Sequence, residues 1–168
     1  MARTLELFLV RHGLAEARGD AWPDDTERPL TAEGIGRMKR SARGLLEIGV
    51  SIDVILSSPL VRTKQTAEIL ADACTPKPPV VLVEALAPDG ALAAVLAEIQ
   101  KHARREHVAI VGHEPGLGEL AARLIGLRYP LELKKGAVVR IDLDPLSPSA
   151  PGSLRWLLPP RVLRVLGR

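Results

Sequence analysis

The chain has 168 residues, with 46% hydrophobic content, aromatics at only 2% and a formal net charge of +3. That is enough chain to bury a core and too apolar for disorder, and so few aromatic rings argue against a stacking surface for single-stranded nucleic acid. Basic residues are scattered along the sequence, which favours a solvated surface over a nucleic-acid footprint while leaving room for an anionic substrate or an acidic partner.

In chain order, the apolar run Glu6–Val10 predicts a buried strand that stops at Arg11-His12-Gly13. It is too short for a signal peptide's apolar region, no later stretch reaches membrane-spanning length, and a cytoplasmic location with no membrane partner is expected. A polar loop, Glu16–Arg28, follows. Thr31 reads as the N-cap of a helix that carries Glu33 in its first turn and runs to about Ile48, where Gly49 stops it. Asp53–Leu56 predicts a second strand breaking into Ser57-Ser58-Pro59, and Leu60–Ala73 a second helix with Ala67, Leu70 and Ala71 towards the core. The single Cys74, at the end of that helix, excludes an internal disulfide and a cysteine-based metal site.

Val80–Val83 predicts a third strand. Asp89 is expected to cap a helix over Gly90–Arg104, and His107–Val111 to form the fourth strand. Pro115–Ile125 predicts a helix ended by Gly126. Ala137–Leu143 and Leu154–Leu158 alternate like half-exposed strands around a Pro- and Ser-rich loop, Asp144–Gly152, and Arg161–Arg168 reads as either a short helix or a loose tail. Strand–helix alternation followed by two strands predicts a three-layer α/β/α sandwich with a mostly parallel, mixed sheet and an antiparallel C-terminal edge, a single domain over residues 1–168.

The chemistry concentrates at strand ends, where open α/β sheets bind ligands. His12 is the candidate nucleophile, since a neutral imidazole can attack phosphorus and carry the phosphoryl group as a covalent intermediate. Its other ring nitrogen needs a carbonyl to orient it, and the turn at Gly13 is placed to supply one. Arg11 and Arg62 are candidate phosphate clamps, because a guanidinium fork matches phosphoryl oxygens and stays charged. Arg62 lies near the start of the second helix, where backbone N–H groups also favour an anion, and Ser57 or Ser58 can add a hydroxyl. His113, in Val-Gly112-His113-Glu-Pro, ends another buried strand and, protonated, would stabilise charge on the equatorial oxygens of a phosphoryl-transfer transition state. Gly13, Ser58, Arg18 and Gly112 are the expected substrate-contacting positions around these four. His102 and His107 have no such context. Metal binding is not expected: no metal-type His spacing occurs, and cations beside the histidines repel a metal and attract an anion.

Leu-Val-Arg11-His12-Gly13, Ser-Ser-Pro59-Leu-Val-Arg62-Thr-Lys-Gln-Thr66-Ala and Val-Gly112-His113-Glu-Pro together resemble the histidine phosphatase superfamily, also called phosphoglycerate mutase-like, and within it the small SixA-type phosphohistidine phosphatases. Arg28-Pro-Leu-Thr31-Ala-Glu-Gly34 and Leu86-Ala-Pro-Asp-Gly90 fall in the matching order. The resemblance implies a phosphatase without cofactor, with His12 as phosphoacceptor and Arg11, Arg62 and His113 completing the pocket. Members acting on phosphate esters usually carry a carboxylic acid after the third strand to protonate the leaving oxygen. Glu84 sits near that position and is the candidate general acid, although the glycine-rich continuation with a second Glu is replaced here by Ala87-Pro-Asp89-Gly90. The long insertions of mutases around the mouth are absent, which implies an open pocket suited to phosphate displayed on a protein. The expected substrate is therefore a phosphohistidine-bearing protein, such as a histidine phosphotransfer domain. The alternatives are a broad small-molecule phosphomonoesterase using Glu84, and a non-catalytic module that only binds phosphoanions.

Overall fold

The computed structural model describes residues 3–145 and 150–168. The loop expected over Asp144–Gly152 therefore lies partly outside the described residues, at positions 146–149. The elements are β1 (Leu5–Arg11), α1 (Ala32–Glu47), β2 (Val54–Ser57), α2 (Val61–Ala73), β3 (Val80–Leu82), α3 (Leu92–Lys101), β4 (His107–Gly112), α4 (Gly116–Ile125), β5 (Val138–Leu143), β6 (Ser153–Leu158) and α5 (Pro160–Leu166). Two short 3-10 turns, Asp25–Glu27 and Glu84–Leu86, precede α1 and α3.

One six-stranded sheet runs in the order β3-β2-β4-β1-β5-β6. β3, β2, β4 and β1 are mutually parallel, while β5 runs antiparallel to β1 and β6 to β5. The expected mixed sheet with an antiparallel C-terminal edge is what forms.

Both faces of the sheet are covered, and the period of two along β1 shows how. Leu5, Leu7 and Leu9 enter one core with Val95 and Ile99 of α3 and Leu117 and Leu120 of α4. Phe8 and Val10 enter the other with Ala42 and Leu45 of α1, Ala67 and Leu70 of α2 and Leu163 of α5. Successive side chains of a strand point to opposite faces, so a nearly continuous apolar run is the signature of a strand covered on both. The C-terminal segment settles as a short helix because Pro160 suits its first position and Leu163 is fully buried.

Thr31 caps α1 as expected, its hydroxyl accepting from the Gly34 N–H at 2.8 Å. Asp89 does not cap α3. The N-cap is Ala91, without a side-chain bond, and the helix is shorter than expected at both ends. The reason lies in the preceding turn: a Cβ at Gly90 would stand 1.7 Å from the Ala85 carbonyl oxygen, so the chain is still folded tightly on the Glu84–Leu86 turn there.

The backbones of α1 and α5 approach closely at Gly44, where a Cβ would lie 2.1 Å from the Leu163 carbonyl oxygen. Gly44→Ala is expected to force the helices apart and destabilise the fold by about 2 kcal/mol, read as a lower urea midpoint. An unchanged midpoint would show that this contact can relax freely.

Candidate active site

Parallel pairing of β1 with β4, and of β4 with β2, sets three strand ends side by side. Arg11 lies opposite Gly112, and Ser57 opposite Val111. The next residues after the strands, His12, Ser58 and His113, are thereby delivered to one edge. All three are buried, and the two imidazoles lie 5.3 Å apart between ring centroids.

His12 is held at both ends of its residue. Its backbone N–H donates to the Gly112 carbonyl at 3.2 Å, and its own carbonyl accepts from the Gly136 N–H at 3.0 Å. The ring Nδ1 sits 2.8 Å from the Gly13 carbonyl oxygen, which can only accept, so Nδ1 carries the hydrogen and Nε2 keeps its lone pair. Burial, followed by the charges of Arg62, Arg11 and Lys135, pushes the His12 pKa down to about 4. The ring is therefore neutral at neutral pH, the form a nucleophile needs.

His113 is also held neutral, its pKa pushed down to about 3 by burial and by the neighbouring His12 and arginines. Burial thus disfavours the protonated form of His113 that the sequence reading expects, and negative charge beside the ring would favour it. Its Nε2 lies 2.8 Å from Ser58 Oγ, which itself accepts from the Leu60 N–H at 3.4 Å.

Arg62 is only 2% exposed. Its Nη1 donates to the Asp25 carbonyl at 2.8 Å and its Nη2 to Asp25 Oδ2 at 3.0 Å. Arg28 donates to the other carboxylate oxygen of Asp25 at 2.8 Å. The hydrogen bond from Arg28, with Arg62 alongside, holds the Asp25 carboxyl below the usual carboxylate range. Arg11 is anchored by Nη1 on the Leu133 carbonyl at 2.8 Å.

The buried side-chain polar atoms left without a partner among the described residues are Arg11 Nε, Arg62 Nε and His113 Nδ1. An unpaired buried donor costs about 1–3 kcal/mol. Arg11 Nε and Arg62 Nε are two such donors. His113 Nδ1 is a third in the tautomer or protonation state that carries its hydrogen there, so the site suits hydrogen-bond acceptors. The pocket, about 520 Å³, is also lined by Arg18, Arg28 and Lys135, against two carboxylates, Glu16 and Glu114. Glu114 is engaged elsewhere, accepting from the Gly118 and Leu133 N–H groups. The lining is cationic and shaped for an anion.

The structure brings together Arg11, His12, Arg62, His113 and the exposed Arg18 around this pocket. Glu84 is not among its lining residues: it is exposed at the start of the turn before α3. Gly13 and Ser58 lie behind the reactive rings and outside the lining, Gly13 giving its N–H to Thr66 Oγ1 at 3.1 Å and its carbonyl to His12. Gly112 bonds the His12 backbone and is closed off by Leu117, 3.3 Å from where its Cβ would stand. Sequence reasoning missed Asp25, Thr66 and Lys135. Only Lys135, in the basic Lys134-Lys135-Gly136 turn, carried a local signal.

Among the described residues, no group of three or more His, Cys, Asp or Glu side chains is arranged to hold a metal ion, and no helix is long and apolar enough to cross a membrane.

The family model of the histidine phosphatase superfamily (branch 1) matches residues 7–87, the stretch that carries Arg11, His12 and Arg62. The chain is 41% identical over 140 residues to an uncharacterized protein of Picosynechococcus sp., covering 80% of this chain and 83% of the relative. The chain belongs to the histidine phosphatase superfamily. It is also 29% identical to the phosphohistidine phosphatase SixA of Escherichia coli over 163 residues, 96% of this chain and 98% of that one. The structure of SixA complexed with tungstate superposes with a TM-score of 0.84 at 27% identity, covering 95% of this chain and 99% of that one. A phosphoglycerate mutase from Bacillus anthracis shares the fold, at a TM-score of 0.75 and 14% identity over 99% of this chain and 97% of that one.

A nitrogen NMR titration of His12 should show a midpoint near about 4, with the hydrogen on Nδ1. Replacing Arg11 by Gln removes a charge that disfavours protonation, so the midpoint should rise. Inorganic phosphate should raise the midpoints of both His12 and His113. A midpoint near the ordinary value of about 6.5 would contradict the electrostatic account.

Proposed function

We propose that this protein hydrolyses phosphohistidine displayed on another protein, through a covalent phospho-His12 intermediate. The observation that carries the reading is the set of unpaired nitrogens, Arg11 Nε, Arg62 Nε and His113 Nδ1, gathered around a neutral His12. The two guanidinium N–H groups can each take a phosphoryl oxygen, and His113 Nδ1 can take a third when it carries a hydrogen. A tetrahedral anion offers such oxygens in several directions at once. SixA has been captured with tungstate, also a tetrahedral oxyanion, which supports carrying the chemistry to this chain.

In this mechanism His12 Nε2 attacks phosphorus and forms a P–N bond while the P–N bond to the substrate imidazole breaks. The departing ring leaves neutral when its other nitrogen carries a proton. Water then attacks phosphorus, the bond to Nε2 breaks, and inorganic phosphate departs. Negative charge developing on the equatorial oxygens meets donors already in position, which is where most of the acceleration arises.

Two features favour phosphohistidine over an ester. An alkoxide leaving group needs an acid, and the candidate acid, Glu84, lies outside the pocket. The mouth is also lined by exposed residues, Ala17, Arg18, Pro88 and Lys135, so a phosphorylated side chain can enter from a protein surface. A module that merely binds phosphoanions would have no need of an unprotonated imidazole nitrogen at the centre.

Rapid-quench trapping with a phosphohistidine-bearing protein should yield acid-labile label on His12 that hydrolyses in turn. His12→Ala should abolish turnover. His113→Ala should lower kcat by about 10²–10³, and Glu84→Gln should leave it within about twofold. Full activity in His12→Ala would end the proposal, and phosphate binding without label or turnover would favour the binding module.

A further inference from the structure

A second basic recess adjoins the pocket. It has a volume of about 330 Å³ and is lined by Arg37 of α1, Lys134 and Lys135 of the turn before β5, and Arg161 and Arg164 of α5. We infer that this cleft is a docking groove for an acidic segment of the phosphoprotein substrate. The inference rests on the phosphohistidine-protein reading above and adds where the partner is gripped.

Positive charge predominates. Among the described residues no carboxylate lines the cleft; Glu33, outside the lining, pairs with Arg37 one helical turn away on α1 and also attracts Arg164. Elsewhere the surface is laced with opposite signs, as at Lys77–Asp72, Lys101–Glu98 and Arg140–Glu6–Asp142. Here burial and then the positive charges of Arg37, Arg40 and Arg161 hold Arg164 below its ordinary pKa, while Lys135, at the junction, is lowered by burial and by Arg11, Arg28, Arg18 and Arg62 of the His12 pocket. Gathering like charges is costly for the free protein, and an anionic partner relieves the cost.

Position supplies the second argument. Lys135 lines both the cleft and the His12 pocket. The same turn is tied to the nucleophile, because Gly136 N–H donates to the carbonyls of Arg11 at 3.1 Å and His12 at 3.0 Å. A chain whose phosphorylated side chain enters the pocket would meet Lys135, the residue that lines both recesses, on its way to the groove. The remaining lining includes Met38, Pro159, Pro160 and Val162, an apolar floor that suits the stems of peptide side chains. Phe8, Trp22, Tyr129 and Trp156 are absent from it, so it offers no ring for a nucleobase to stack on.

The test uses two synthetic phosphohistidine peptides of equal length, one with Glu and one with Gln at the positions flanking the phosphohistidine. At low salt the Glu peptide should show a kcat/KM about tenfold higher, with the advantage shrinking as salt screens the charges. The combined variant Lys134→Glu, Arg161→Glu, Arg164→Glu should erase the advantage while hydrolysing phosphoramidate as the wild type does. If that variant fails to fold, Lys134→Gln with Arg161→Gln, both at exposed positions, should reduce the advantage. Equal rates on the two peptides, or an advantage that survives in a folded variant, would overturn the groove and leave the phosphohistidine reading standing. No hydrolysis of either peptide would overturn both. An oligoribonucleotide bound more tightly than the Glu peptide, and released by the same substitutions, would assign the cleft to nucleic acid and overturn it too.

Discussion

The Gly13 carbonyl accepts a hydrogen from His12 Nδ1 at 2.8 Å, and the rest of the candidate site depends on that carbonyl staying where it is. It stays because the Gly13 N–H is bonded to Thr66 Oγ1, whose own hydrogen goes to the Arg62 carbonyl at 2.8 Å. The first turns of α2 therefore hold His12 in place through Gly13 and carry Arg62 beside it. Gly13 itself admits no side chain, since a Cβ would stand 2.6 Å from Met38 Cγ. A neighbouring residue that fixes the tautomer of one imidazole is thus set by packing from α1 and hydrogen bonding from α2 together.

Around this neutral ring the protein has placed cations with few counter-charges. Asp25 is the main exception, its carboxylate accepting from Arg28 Nε and Arg62 Nη2 and its carbonyl from Arg62 Nη1. That arrangement spends the ends of the Arg62 fork on the scaffold and leaves Nε for a ligand. It also keeps a nearly fully buried guanidinium paired, which a lone charge at that depth would not survive cheaply. The burial and positive charge that hold His12 neutral also make the pocket attractive to phosphate. Entry of the anion reverses the electrostatic balance at His113.

The same strand-end geometry explains why carboxylates are scarce at the reacting centre. The turn carrying Glu84 folds back on Ala85 at Gly90 and leaves Glu84 in solvent, while Glu114 is committed to backbone N–H groups that fix the α4 entry and the Leu133 segment. Chemistry that asks little of a general acid is what such a pocket serves best. In the proposed function, the open mouth and the adjoining basic cleft would extend that logic from the reacting atoms to the partner that presents them.

By itself the sequence determined the order of strands and helices and most of the residues at their ends, though not the bounds of α3 or the C-terminal helix. Those follow from local patterns: the apolar run before Arg11-His12-Gly13, the Thr31 cap, the break at Ser57-Ser58-Pro59, and the strand into His113. Periodicity and turn chemistry act over a few residues, so they can be read without the fold. What only the tertiary structure decided are relations across long separations. Asp25 meets Arg62 across 37 positions, and Ser58 meets His113 across 55. Glu84 falls outside the pocket although its position along the chain suits an acid. Cations that look scattered in sequence, on α1, the Lys134–Gly136 turn and α5, converge on one cleft because α5 packs back across Gly44 of α1. Sheet order and helix packing set those distances, and no stretch of neighbouring residues encodes them.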